Sequence, residues 1–228
     1  MTVAVRQEAT GFITVAGSVI TITPASAYLA GSSLHLVGSC LNNNTITIGG
    51  DGVNTFVSFG AAFLYGSTKH LQHWYANNVA AGAPTLTFNL SASTTQWQVY
   101  LAEISGTSGL DTSITNAQTA IGSGTDVLTT GNVTPSLQPG LIHALCVNNN
   151  SGGYASGTGY TLGISGTDHT ASGFYNTESL RYTSLSALAA TWSVTQTSNN
   201  PGMVAALFAE TVPQTQFIQS RKTQLYYI

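Results

Sequence analysis

Charge is what this sequence has least of. Charged side chains make up 6% of its 228 residues, against about 25% in an ordinary soluble domain. Five Lys and Arg against eight Asp and Glu leave a net charge of −3, which provides no basic patch and argues against nucleic acid as a partner. A polar but uncharged surface also lacks the like-charge repulsion that keeps monomers apart. It suits a protein packed beside copies of itself. Long hydrophobic runs are missing too: none approaches the roughly 18 apolar residues of a spanning helix, so no membrane partner is expected. The first residues, MTVAVRQEATGFITVAG, lack a charged stretch followed by an apolar core, so no signal peptide is expected and synthesis in the cytoplasm is. Only two cysteines occur, Cys40 and Cys146. Without an export signal, free buried thiols are the expectation for both and a disulfide the alternative.

What is present is strand after short strand. Hydrophobic residues are 43% of the chain, enough for a sizeable core. The aromatic and β-branched content speaks against disorder. In TLTFNL, Leu86, Phe88 and Leu90 alternate with Thr85, Thr87 and Asn89, the period-two mark of a half-buried strand. In QWQVYLAEI, Trp97, Val99 and Leu101 share one face while Tyr100, Ala102 and Ile104 share the other. Apolar character on both faces predicts a central strand covered on both sides. Leu34 to Cys40 reads the same way. Further strands are predicted at 12–15, 18–23, 45–48, 54–59, 62–65, 71–75, 127–133, 141–147, 160–164, 180–183, 191–195 and 203–209, separated by Gly, Asn and Ser turn clusters. Residues 110–121 space Leu110, Ile114, Ala117 and Ile121 as a helix would but are Thr-rich, so they read as loop or short helix. The contexts of the two cysteines, CLNNN and CVNNN, are alike. They place both cysteines at strand ends that could lie side by side, and are too short to establish a repeat. Together these features predict an all-β fold, an antiparallel, jelly-roll-like β-sandwich with extended N- and C-terminal arms. The expected divisions are an arm over 1–10, one sandwich domain over 11–210 and an arm over 211–228.

Chemistry is sparse by comparison. His70 and His73 form H-x-x-H, yet on a strand they point to opposite faces and are read as solvated or hydrogen-bonded. His35 and His143 sit in apolar strands, as core or interface histidines with backbone partners. Asp168 and His169 beside Ser165 invite a triad, but the three lie within one Gly-rich loop, with no G-x-S-x-G elbow. Glu103 ends a central strand and is expected to pair with a turn amide. Asp51, Asp111, Asp126 and Asp168 sit in turn contexts without a calcium-loop pattern. N-x-[ST] sites at Asn43, Asn89, Asn132 and Asn149 are chance matches in so Asn-, Ser- and Thr-rich a chain. No catalytic residue, metal ligand or cofactor is predicted, and a small-molecule ligand is not expected.

The succession W-Y-A-x-N-V-A-A-G, T-x-T-F and V-x-L-x-E-I-S-G over Trp74 to Gly106 resembles a family of Gly/Ser/Thr-rich β-sandwich modules of tailed-phage structural proteins. Leu110-Asp111, Pro139-Gly140 before an apolar strand, and the closing Met203 to Phe208 strand agree with it. The likeness covers roughly residues 30 to 210. It departs from the usual pattern at Leu141, where those modules carry an acidic residue, and in the added segment 211–228. The resemblance implies a non-enzymatic virion protein on the exterior of a bacteriophage particle, contacting copies of itself and other virion proteins. A capsid decoration or cement protein is the first expectation. A carbohydrate-binding adhesin of the tail or fibre, with Trp74, Tyr75, Tyr154 and Tyr160 as sugar platforms, is the alternative. Phe217, Ile218, Arg221, Lys222, Leu225, Tyr226, Tyr227 and Ile228 give the last segment an apolar, aromatic end, unusual for a terminus, and are expected to dock onto a partner.

Overall fold

The computed structural model describes residues 1–13, 15–41, 44–65, 68–94, 97–117, 124–148, 154–167, 174–196 and 200–211. Among them are seventeen strands and no helix. The first nine are β1 (Ala4–Phe12), β2 (Gly17–Ile22), β3 (Ser33–Leu41), β4 (Ile46–Gly50), β5 (Val57–Ser58), β6 (Phe63–Tyr65), β7 (Lys69–Ala76), β8 (Leu86–Thr94) and β9 (Trp97–Ser105). They form a six-stranded sheet in the order β1-β9-β3-β7-β5, with β6 also on β7, and a three-stranded sheet in the order β2-β8-β4. Early strands alternate between the two sheets, which is jelly-roll connectivity. The remaining eight are β10 (Thr107–Ala117), β11 (Gly124–Thr129), β12 (Gly140–Asn148), β13 (Tyr154–Ser156), β14 (Thr161–Thr167), β15 (Phe174–Tyr182), β16 (Thr191–Gln196) and β17 (Gly202–Glu210). Their sheets, β10-β17-β12-β15-β14 and β11-β16-β13, repeat the same order. All the pairings are antiparallel. The chain is thus two jelly-roll sandwiches in tandem.

The cysteines mark the correspondence. Cys40 on β3 lies between His70 of β7 and Trp97 of β9, and Cys146 on β12 lies between Asn176 of β15 and Met203 of β17. All three positions are displaced by the same number of residues. The cysteines therefore occupy equivalent places in two different sheets rather than neighbouring strands of one. Both are free and buried, and burial pushes the Cys40 thiol up to about 12.

Side-chain alternation explains how the rolls are assembled. On β9, Trp97, Val99 and Leu101 pack into the first roll's own core with Leu34, Leu36, Phe88 and Trp74. Tyr100, Ala102 and Ile104 face the other way and meet Leu145, Val204, Leu141, Ala206 and Phe208 of the second roll. β12 and β17 divide likewise: Ile142, Ala144, Cys146, Met203, Ala205 and Leu207 line the second roll's core. The two large sheets therefore stack face to face in the middle of a four-layer molecule, with the three-stranded sheets outside. This is why β9 and β12 are buried at every position. The apolar-on-both-faces pattern predicted for β9 and β3 has this cause. Gly106, the single residue between β9 and β10, has φ +70°, and a Cβ there would lie 2.5 Å from the Thr2 carbonyl oxygen. Only glycine turns the chain from one roll into the other at this point.

The single sandwich domain expected over 11–210 is instead two sandwiches, each with its own core, and two expected segments differ as well. Residues 1–10 do not leave the body as an arm: Ala4–Phe12 is an edge strand paired with β9 along its length. Residues 107–117 are a strand on β17 rather than a loop or helix. Two register shifts, between Thr107 and Gly109 and between Leu110 and Thr112, break the period-two pattern there. Of the expected C-terminal arm only Thr211 is described, its amide donating to the Gly106 carbonyl at 2.9 Å; the docking residues Phe217, Ile218, Arg221, Lys222, Leu225, Tyr226, Tyr227 and Ile228 lie outside the described residues.

Phe88 is fully buried on β8, its ring set edge-on to Trp74 at 6.2 Å, while Thr87 beside it is only half-buried. Phe88→Ala is expected to cost about 3–5 kcal/mol, and Thr87→Ala little. Thermal melts of the two variants check this; equal melting would refute the register.

Candidate functional site

Several ionisable groups gather around β1, at and beside the place where the rolls meet. A bulge between Val5 and Gln7 on β1 places one extra residue in the strand and re-aims its side chains. Arg6 and Gln7 both reach Glu103 on β9, at 2.5 and 2.6 Å, while Glu8 contacts the second roll. Glu103, fully buried, also accepts the Leu29 amide at 2.7 Å and the Ser32 hydroxyl at 2.9 Å. Burial alone would raise its pKa, but the Leu29 amide, Gln7, Arg6 and Ser32 outweigh that and hold the carboxyl below its usual value. The predicted turn-amide partner is present, with three more donors. Glu103 is the knot that ties β1 and the 26–32 turn region to β9.

Across the joint runs a chain of rings. Glu8 accepts the Ile164 amide of β14 through Oε2 and contacts His143 Nε2 of β12 through Oε1, both at 3.1 Å. His143 Nδ1 lies 2.8 Å from His35 Nδ1 on β3, and His35 Nε2 lies 3.3 Å from His73 Nδ1 on β7. His73 Nε2 is buried without a hydrogen-bond partner among the described residues, and its ring stacks on Phe59 at 4.1 Å. Sequence reasoning placed His35 and His143 in apolar strands but gave them backbone partners. They partner each other instead, because both project from inner sheets into a buried interface. His70 and His73 do point to opposite faces of β7, His73 buried toward the second roll and His70 half-buried.

Burial drives both inner histidines toward neutrality. His35 is held well below its usual pKa by desolvation, with His143 and His73 adding to the effect; burial brings His73 down to about 3. Desolvation would raise Glu8, yet His143, Thr177 and the Ile164 amide hold it below 4.5. His35 spends its two ring nitrogens on two different neighbours, so the three imidazoles do not converge on one ion. Among the described residues no group of three or more His, Cys, Asp or Glu is arranged to hold a metal. Gly163 completes the cradle: a Cβ there would collide with the Glu8 carboxylate and the Thr177 hydroxyl. In the second roll, Glu178 accepts the Gly157 and Thr191 amides at 3.0 and 2.9 Å. Burial pushes it up to about 7 against the pull of those two bonds.

Glu8 borders a groove of about 480 Å³ that runs between the edge strands β1 and β14 and is lined also by Val5, Leu141, Leu162 and Arg181. Arg181 is paired with Glu210 at 2.8 Å, as Arg6 is with Glu103. The charged groups of the groove wall are thus paired, and the rest of the wall is apolar side chains with the polar Gln7, Thr161 and Ser179.

The four aromatics considered as a sugar platform do not meet. Trp74 belongs to the first roll's core. Tyr75, next on the strand, faces the opposite side and tilts against Phe59 at 4.9 Å. Tyr154 and Tyr160 pack on the second roll's core, and the Tyr160 hydroxyl donates to the Ala189 carbonyl. Alternation along β7 and the two-roll division separate them. Asp51 accepts the Val53 and Asn54 amides, the local turn role expected of Asp; Asp111 and Asp126 instead lie on strands β10 and β11, and Asp111 accepts the distant Ser136 and Leu137 amides. Asp168 and His169 lie outside the described residues. Sequence reading missed Glu8. The available signal was a carboxylate on a strand whose neighbours alternate toward buried partners.

No family model matches the chain, and comparison with curated proteins and with solved structures returns no match.

Removing the Glu103 carboxylate leaves a guanidinium, an amide, a carboxamide and a hydroxyl without their acceptor. Breaking a buried ion pair from one side costs about 3–5 kcal/mol, so Glu103→Ala is expected to lose that much in denaturant titration. Gly163→Ala should also destabilise, by displacing Glu8. A Glu103→Ala protein as stable as the wild type would show that the knot is not structural.

Proposed function

We propose that the chain is a non-enzymatic structural protein of a bacteriophage virion, a capsid decoration or cement protein bound to capsomers or to sister subunits on the particle exterior. The observation that carries the reading is how the Trp74–Gly106 block is used, since that block bears the resemblance to phage β-sandwich modules. Trp74, Ala76 and Val79 are core residues. Asn78 adopts φ +52° in the turn after β7. Asn77 accepts from the Ser33 hydroxyl and the Leu110 amide and so links the two rolls. Glu103 is the knot described above, and Gly106 turns the chain into the second roll. Each of these residues builds the scaffold, which is what a module serving particle architecture requires.

The surface supports the same reading. The outer sheets carry exposed Val19 and Val127, and the first roll also exposes Phe12, Val57 and Leu64. Such positions, on a chain with 6% charge, offer contact area with little desolvation cost. Gel densitometry of purified virions tests the proposal. Copy number in capsid stoichiometry is expected. A few copies per particle would instead favour the tail or fibre adhesin, and absence from particles would overturn the virion reading. A second expectation concerns residues 211–228: deleting them should leave melting near that of the full chain and abolish retention on particles. A truncated protein that fails to fold would give the segment an intramolecular role.

A further inference from the structure

With all three rings neutral, the ring chain at the joint takes its direction from its carboxylate end. A carboxylate only accepts, so His143 Nε2 donates to Glu8. With His143 neutral, its Nδ1 carries a lone pair and accepts from His35 Nδ1–H. His35 Nε2 is then an acceptor for His73 Nδ1–H, and His73 Nε2 ends the chain as a bare lone pair against Phe59. Every N–H points toward Glu8. In this arrangement only one acceptor goes without a partner, the lesser of the two ways a buried ring can be unsatisfied.

Adding one proton reverses the whole ladder. With both nitrogens of His143 protonated, its Nδ1 must donate and His35 Nδ1 must accept. His35 then carries its hydrogen on Nε2 and donates to His73 Nδ1. The hydrogen of His73 moves to Nε2, where no acceptor is present among the described residues. The balance is one proton gained, two tautomers changed and one donor buried without a partner. We propose that the Glu8–His143–His35–His73 chain is a proton-operated latch between the two jelly rolls: closed when the rings are neutral and released by acid.

Few other charged or titratable groups surround the latch among the described residues. Among the described residues, β1 contributes Glu8 to this joint, and Arg6 beyond it is committed to Glu103 and the Ala27 carbonyl. β7 contributes His73 and Tyr75, with Lys69 four residues back on the same face. β9 and β15 contribute Tyr100 and Tyr175, whose rings meet at 4.9 Å. Arg181 of β15 is paired with Glu210, and β17 offers only Phe208, its ring 6.2 Å from His35. Glu103 and Glu178 face away into their own rolls. Opening the joint gives His35 and His73 ordinary pKa values near 6.5, whereas in the closed state both stay neutral. A depressed histidine contributes stability that is complete above about pH 6.5 and is lost as pH falls toward the folded value. Each therefore raises the opening equilibrium up to about tenfold per pH unit below that point. The inference does not depend on the virion reading.

Amide exchange on the intact chain tests it, because the Ile164 amide crosses the joint beside the latch and donates to Glu8. Between pH 7.5 and 5.5, after correction for intrinsic rates, Ile164 should lose at least tenfold more protection than Trp192, whose strand belongs to the second roll's outer sheet. Equal losses, or none at Ile164, would overturn the latch. Nitrogen NMR of the wild-type rings at pH 8 provides a second reading. Hydrogen on Nδ1 of His35 and His73 and on Nε2 of His143 is expected, and the opposite tautomers would overturn it. His73→Phe, which keeps a ring stacked on Phe59, should reduce the acid loss at Ile164 about tenfold per pH unit; an unchanged pH profile in a folded variant would count against the proposal.

Discussion

Burial of an inner sheet on both faces is the constraint from which the rest of the structure follows. Each six- or five-stranded sheet is the wall of its own sandwich and also the floor of the joint with the other. Its strands must therefore be apolar at successive positions, not alternate ones, as β9 and β12 are. A sheet of this kind cannot face water on its free side without exposing Val37, Leu71, Tyr100, Ile104 and their neighbours. The outer sheets, with one face wet, keep the alternation that β8 shows. Two jelly rolls of one chain solve the problem for each other, and the tight turn at Gly106 keeps the solution intramolecular.

The polar groups buried at and beside this joint come in sets that bond to one another, with His73 Nε2 left over at the end of one set. Glu103 collects four donors; Glu8 collects the Ile164 amide, Thr177 and His143; the histidines bond ring to ring. Buried ion pairs rarely add net stability compared with apolar packing. Their effect here is registration: a slide of one roll over the other would strand Glu8 and three rings at once. Uniform apolar surfaces would tolerate such a slide. The same economy makes the joint sensitive to protons, since neutral rings are a condition of its closure.

Much of the architecture was legible in the sequence because burial writes itself into periodicity. TLTFNL announces a half-buried strand, and QWQVYLAEI a strand covered twice. The paired CLNNN and CVNNN contexts were traces of the tandem rolls, visible only once the partners His70, Trp97, Asn176 and Met203 showed them to be equivalent. Two segments misled for physical reasons. Arg6, Gln7 and Glu8 look like a solvated arm because a bulged strand sends polar side chains to buried polar partners. Leu110 and Ile114 mimic helical spacing because bulges interrupt the strand's period of two. The histidine chain was illegible, since its links join residues 108 and 135 positions apart and no local pattern encodes such pairings. The aromatic platform failed likewise: Trp74 and Tyr75 are adjacent in sequence and opposite in space.

The account rests on the claim that neither inner sheet is stable with one face exposed. Expressing residues 1–106 alone and measuring mass in solution tests it directly. The prediction is that this half does not persist as a monomer: it aggregates, or it pairs through its inner sheet with a second copy in place of the missing roll. A soluble monomer that melts as the full chain does would contradict the account.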